Sequence, residues 1–320
     1  MNDEQYSADA SLENPGLPKI VVIAGPTAVG KTRFGIDLAL QFNGEIVNAD
    51  SRYLYRGMDI GVAKPDFLER QGIHHHLIDI CDPSDEMSLA TYQELAMRAI
   101  FLVLSRGKLP ILVGGTPLYV NAVVEGWRIP RVPPHPQIRT RLEAEAEEIG
   151  LAALAARLAA VDPVAAERSS QNLRRVIRAL EVFEVTGQPM SELEGKGPRP
   201  FDALELKLTL PREDLYARVD RRVDSLIERG LVEEVRTLLE GGISPEAPAM
   251  SSIGYRQLLP YLSGEEPLDV AIAQIKSDTR RYIKHQETWL RKNTSMISVD
   301  PAGPDWSQGA FDLVDRFLRS

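Results

Sequence analysis

From residue 19 the chain alternates unbroken apolar runs with stretches in which apolar residues recur every three or four positions. KIVVIAG (19–25) is a β-branched run closed by glycine, the pattern of a strand buried on both faces. A helical period follows from Lys31 to about Phe42, then a second run, EIVNAD (45–50), and a third, HHLIDI (75–80). Another helix is predicted from about Ser88 to Ser105, leading into LPILVGG (109–115). Strands alternating with helices predict an α/β fold built on a parallel sheet covered on both faces.

The texture changes near Glu125. Pro130, Pro133, Pro134 and Pro136 lead into segments dense in Ala, Leu, Glu and Arg up to about Thr186, which predict a mostly helical insertion. A GKGPRP link (195–200) returns the chain to a strand-like LELKLTL (204–210), helices over 212–239 and 268–291, and a last strand in SMISV (295–299). The expected division is a disordered polar tail (1–18), a first core part (19–124), the helical insertion (125–195), and the rest of the core with C-terminal helices (196–320).

Composition narrows the class. Of 320 residues, 43% are apolar and 26% charged, which excludes a disordered or collagen-like chain. No apolar run is long enough to span a bilayer, and the first residues lack a secretory pattern. The single cysteine, Cys81, reads as a small packing residue and suits a reducing compartment, so a cytoplasmic location is expected. A net charge of −9 argues against wholesale coating of nucleic acid, yet leaves room for local basic patches.

One motif carries definite chemistry. Gly25-Pro26-Thr27-Ala28-Val29-Gly30-Lys31-Thr32 fits G-x-x-x-x-G-K-[ST] between a predicted strand and a predicted helix. Backbone N–H groups and the helix N-terminus would grip a pair of phosphates, Lys31 would add a charge, and the Thr32 hydroxyl would face Mg²⁺. The next strand ends at Asp50 and the fourth at Gly114, Gly115 and Thr116, which belong at the same carboxyl edge of the sheet. The apolar run ending in an acid that motor ATPases carry is missing near ILVGG. This favours a small-molecule kinase or a diphosphate-using transferase, with a helix N-cap as the structural alternative for Asp50.

GPTAVGKT (25–32), DSRYLYRGMDIGVAKP (50–65), HHLIDICDP (75–83), LVGGTPLY (112–119), RRVIRALEVFEVTG (174–187), IGYRQ (253–257) and KHQETWLR (284–291) occur in this order. In these segments the chain resembles the bacterial tRNA dimethylallyltransferases (isopentenyltransferases). The resemblance implies a P-loop NTPase-like core. It also implies transfer of a dimethylallyl group from its diphosphate to N6 of the adenosine 3′ to the anticodon, in tRNAs reading codons that begin with U. Asp50 is the expected general base, Thr116 by resemblance orients the amine, and Arg218 by resemblance reaches the diphosphate. Mg²⁺ is the expected cofactor, the tRNA anticodon stem-loop and dimethylallyl diphosphate the partners, and a monomer the expected state. Two positions depart from the family pattern: Gln171-Asn172 stands where it has Asn-Asp, and His285 where it has arginine.

RNA contact is expected at Asp50, Ser51, Arg52, Tyr53, Thr116 and Arg139 by resemblance. Arg174, Arg175 and Arg178 form a compact cluster, and Arg280, Lys284 and Arg291 a basic stripe, with Gln286 and Trp289 in the same segment. His74-His75-His76 lacks the spacing of a metal set and reads as structural or substrate-near. A nucleotide or metabolite kinase remains the main competitor, since it shares the phosphate cradle. A non-catalytic RNA-binding protein and an adenylate-using cytokinin synthase are the others. The basic clusters and the helical insertion speak against a kinase.

Overall fold

A computed structural model describes residues 16–303 and 305–320. Most of the expected tail therefore lies outside the described residues. Pro18 is already tied to the sheet, its carbonyl accepting the Asp202 N–H at 3.0 Å.

The elements follow in chain order. β1 (Lys19–Ala24), α1 (Lys31–Gln41), β2 (Gly44–Asn48), β3 (His75–His76), α2 (Leu89–Ser105), β4 (Leu109–Gly114) and α3 (Pro117–Val124) form the first part. β5 (Trp127–Arg128), α4 (Pro136–Ile149), α5 (Leu151–Val161), α6 (Pro163–Ser169), α7 (Leu173–Thr186), α8 (Met190–Leu193) and β6 (Gly195–Lys196) come next. The chain closes with β7 (Asp202–Leu208), α9 (Arg212–Glu228), α10 (Leu231–Glu240), a 3-10 turn (Pro248–Ser251), α11 (Tyr255–Leu262), α12 (Leu268–Lys292), β8 (Ile297–Val299) and α13 (Trp306–Arg319). Among the described residues no helix is long and apolar enough to cross a membrane.

Six strands pair in the order β3-β2-β4-β1-β7-β8, all parallel. The loops after β1, β2 and β4 therefore emerge side by side. β1, β2 and β4 are almost wholly buried, as strands with helices on both faces must be. α1 lies close enough on one face that a Cβ on Gly35 would meet Val113 at 2.8 Å. On the other face the Tyr92 ring of α2 stacks on Tyr119 of α3 at 3.5 Å, and the Tyr92 hydroxyl donates to the Asn48 carbonyl. α13 caps α1 through Phe34, Trp306 and Phe311.

A second apolar cluster, around Leu142, Leu154, Leu158, Val176, Ile177 and Leu180, is built by α4–α7, with Met190 of α8 packed against it. The chain enters this helical part through β5 and leaves through β6, and those two strands pair antiparallel, Trp127 opposite Lys196. Asn172 caps α7, its side chain accepting the Arg175 N–H.

Several boundaries differ from the sequence reading. HHLIDI pairs only at His75–His76, because Leu77 and Asp79 take left-handed backbone angles that no strand can carry. Buried charge holds that loop instead. Lys64, 5% exposed, donates through its ammonium to the Tyr55 carbonyl at 2.6 Å, to Asp59 at 2.8 Å and to Asp79. The helix expected over 212–239 breaks at Gly230, whose φ is +99°. α3, α11 and α13 and the β5–β6 ribbon are additions to the expected elements.

Candidate active site

The cradle forms where β1 runs into α1. Gly30, the N-cap, has φ +106°, which a side chain would strain, and Ala28 is also left-handed at φ 63°. This turn leaves the first N–H groups of α1 without helical partners at the positive end of the helix dipole. Lys31 Nζ donates to the Pro26 carbonyl at 2.8 Å, and the Thr27 N–H donates to Gln286 Oε1 at 2.9 Å. Burial pushes the Lys31 pKa down to about 8; the Asp50 carboxylate opposes that shift and Arg222 adds to it.

β2 ends two residues before Asp50, and the Asn48 side chain brackets the turn between them. It accepts the Asp50 N–H and donates to the Asp50 carbonyl, both at 2.9 Å. Asp50 Oδ1 accepts the Arg52 N–H at 2.9 Å. From β4 the chain turns through Gly114 and Gly115, where a Cβ on Gly114 would lie 2.1 Å from the Ala49 backbone. Thr116 follows; its hydroxyl oxygen accepts the Ser51 N–H at 3.0 Å, so it reaches Asp50 through Ser51.

Two cavities adjoin here. One, of about 330 Å³, is walled by Ala28, Gly30, Lys31, Thr32, Tyr53 and Glu69. The other, of about 480 Å³, is walled by Ser51, Arg52, Val223, Leu226, Tyr282 and His285, with Arg256 and Arg281 among the rest. Both fall in the size range of small-molecule sites, about 300–1,000 Å³. Thr27, Asp50, Val62 and Arg222 belong to both walls, so Asp50 stands where the chamber around the 25–32 turn meets a second, basic one. Burial pushes the Tyr282 hydroxyl up to about 12, with Asp50 adding to the rise and Arg52 and Gln286 opposing it.

Arg218 lines neither cavity. Arg222, one helical turn later on α9, lines both cavities and donates to the Val62 carbonyl at 3.1 Å. The turn, about 6 Å along the axis, decides which arginine reaches the cradle. Glu234 was also not foreseen. Its carboxylate accepts the N–H groups of Asp59 (2.8 Å), Ile60 (2.6 Å) and Gly61 (2.9 Å) and the Tyr255 hydroxyl, which pins the loop leading to Val62. A carboxylate three residues into α10 gave no sequence signal for this nest.

The residues expected on the RNA side divide. Arg174, Arg175, Lys284 and Arg291 are exposed. Arg139 and Arg178 instead grip the fully buried Glu181, at 2.8 and 2.6 Å, and Arg178 also donates to the Val132 carbonyl. Arg139 further pairs with Glu86 at 3.1 Å. Arg280 pairs with Asp220. Gln286 is buried with both amide ends bonded inside the protein, and Trp289 packs against the core. Tyr53 turns away from Ser51 and Arg52 into the cradle cavity, where its hydroxyl donates to the Ala63 carbonyl at 2.9 Å. A charge repeat along a helix does not reveal which members find an acidic partner on another helix.

The histidine run lies at the sheet edge. Ligand atoms of Glu45, His74 and His76 lie within 4.8 Å of one another. Glu45 already accepts from His76 (2.7 Å), Lys108 (2.8 Å) and Arg106 (3.3 Å), so a cation there would face two neighbouring positive charges. Burial alone would raise the Glu45 pKa, but Lys108 and His76 together bring it down to about 2. The cluster is an internal ion pair.

A family model described as IPP transferase matches residues 53–293. The tRNA dimethylallyltransferase of Thermomicrobium roseum is 54% identical over 94% of this chain and 92% of its own length. The enzyme of that name from a Roseiflexus species is 50% identical over 93% of this chain and 98% of its own. Among solved structures, a full-length tRNA isopentenylpyrophosphate transferase from Bacillus halodurans matches with TM-score 0.71 and 40% identity, covering 94% of this chain and 97% of that one. A eukaryotic dimethylallyltransferase acting on tRNA matches with TM-score 0.80 and 31% identity, covering 94% and 80%.

Proposed function

Since this chain belongs to the IPP transferase family, we propose that it transfers the dimethylallyl group of dimethylallyl diphosphate to N6 of the adenosine 3′ to the anticodon in tRNA. The observation that carries this reading is Asp50 in the shared wall of two cavities, one built around a phosphate cradle. The diphosphate of the donor binds at 25–32, and the adenine, drawn out of a single-stranded loop, enters the second cavity.

In the transfer the C1–O bond of the donor breaks and its electron pair leaves with the diphosphate. A C1–N6 bond forms, and the N6 proton passes to Asp50, giving N6-dimethylallyladenosine and free diphosphate. Lys31, Arg222 and the first N–H groups of α1 face the growing charge on the leaving group, where fixed positive groups lower the barrier most. The Thr32 hydroxyl and the Glu69 carboxylate in the cradle wall are hard oxygen donors of the kind Mg²⁺ takes alongside water and phosphate. A bound Mg²⁺ would supply further charge to the diphosphate.

Exposed Arg174 and Arg175 at the start of α7, and Lys284 and Arg291 on α12, offer phosphate contacts outside the cavities. The helical part over 125–195, with its own apolar cluster, is read as the RNA-holding unit. The test is incubation with radiolabelled dimethylallyl diphosphate and an unmodified anticodon stem-loop, with ATP as competing donor. Label in the RNA is expected; phosphoryl transfer from ATP with the isoprene untouched would overturn the reading in favour of a kinase.

A further inference from the structure

Gln286 lies in the buried stripe of α12, 2% exposed, and its amide joins two loops that are far apart in the chain. Oε1 accepts the Thr27 N–H at 2.9 Å, and Nε2 donates to the Gly115 carbonyl at 2.9 Å. Gly115 is shaped for this contact: a Cβ there would stand 2.6 Å from Nε2 and 3.4 Å from Lys31 Nζ. A buried amide with both ends bonded is fixed in orientation, since freeing either end would leave a polar group unpaired.

The two loops serve different substrates. Thr27 belongs to the cradle, whereas Gly115 precedes Thr116, which fastens the Asp50 turn through Ser51. Gln286 itself lines neither cavity; its neighbour Tyr282, one helical turn earlier, lines the second. The strut thus acts on geometry between the cavities without touching what fills them.

We propose that Gln286 is a positioning residue for the transfer: by tying Thr27 to Gly115 it sets the separation between the donor's leaving group and Asp50. The proposal rests on the transferase reading above. A misplacement of about 1 Å between reacting groups costs about 100-fold in rate. Gln286 variants should therefore lose turnover while each substrate alone still binds.

The test uses the full chain with Gln286→Leu, which removes both bonds, and Gln286→Glu, which keeps an acceptor for the Thr27 N–H but loses the donor to Gly115. Inorganic diphosphate and the anticodon stem-loop are titrated separately, and transfer is followed in a single turnover with both substrates saturating. Affinities within about threefold of wild type are expected, with the rate down about 100-fold in Gln286→Leu and less in Gln286→Glu. Should Gln286→Leu lose its cooperative thermal transition, Gln286→Glu decides alone, a drop of about tenfold with both affinities kept being the supporting result. A wild-type saturating rate in the folded variants overturns the proposal. So does a loss of stem-loop affinity that saturating RNA fully repairs, which would make Gln286 an RNA contact. A wild-type chain that transfers no dimethylallyl group overturns the transferase reading itself, a result the wild-type control reports separately.

Discussion

The Ser51 N–H donates to the Thr116 hydroxyl oxygen at 3.0 Å, which fastens the turn carrying Asp50 to the loop after β4. Two strand ends are thereby locked together beside the cradle. If Asp50 takes the N6 proton, Asp50→Ala should lower the single-turnover rate by about 10²–10⁴-fold while stem-loop affinity stays near wild type. Thr116→Val, which leaves the Ser51 N–H without its acceptor, should cost less, about tenfold. Near-normal prenylation by Asp50→Ala would remove the carboxylate from the chemistry.

Lys31 gives a pH signature. With its pKa near 8 it is a cation below that pH and loses charge above it. Inorganic diphosphate affinity should therefore fall as pH rises through about 8, and binding should take up a proton there, because the anion favours the ammonium form. Lys31→Arg stays charged and should show no such break. Calorimetric titrations from about pH 7 to 9.5 in buffers of different ionisation enthalpy read both effects. Identical pH profiles for the two proteins would contradict the assignment.

The neighbouring arginines of α9 make an internal control. Arg222→Ala should reduce kcat/KM for dimethylallyl diphosphate by about 100-fold, the usual cost of removing one charged group from a developing anion. Arg218→Ala, on the same helix but outside both cavities, should stay within about threefold. Equal losses for the pair would mean that the placement of Arg222 is not what matters.

Free and internally paired arginines should separate in binding and stability. Arg174→Glu with Arg175→Glu should weaken stem-loop binding and flatten its salt dependence by nearly one unit of slope per lost phosphate contact, with diphosphate affinity unchanged. Glu181→Ala leaves Arg139 with Glu86 alone and Arg178 with the Val132 carbonyl alone, and takes the acceptor from the His135 N–H, so stability should drop by about 2 kcal/mol in urea unfolding. RNA affinity lost only after charge reversal, and stability lost only at Glu181, is the expected contrast.

The legible parts of the site were those in which neighbours along the chain make the geometry. Residues 25–32 are contiguous, so a glycine turn between an apolar run and a helix start declared itself. Asp50 and Thr116 were readable because a parallel sheet brings successive strand ends to one edge, although β2 stops at Asn48. HHLIDI looked like a strand and pairs over only two residues, since apolar content says nothing about the left-handed angles at Leu77 and Asp79. α13 did leave a signal, apolar residues at Trp306, Ala310, Val314 and Phe317 at helical spacing.

By itself the amino-acid sequence determined the α/β alternation, the glycine turn ahead of α1 and the acid beside it, because each depends on residues close together in the chain or on the regular order of strands. Tertiary structure decided which polar side chains face substrate and which hold the protein together. Gln286 and Gly115 meet across 171 positions, and Arg139 and Glu181 across 42. Whether a buried amide or a guanidinium is free depends on its partner, and only folding brings such partners within hydrogen-bonding distance.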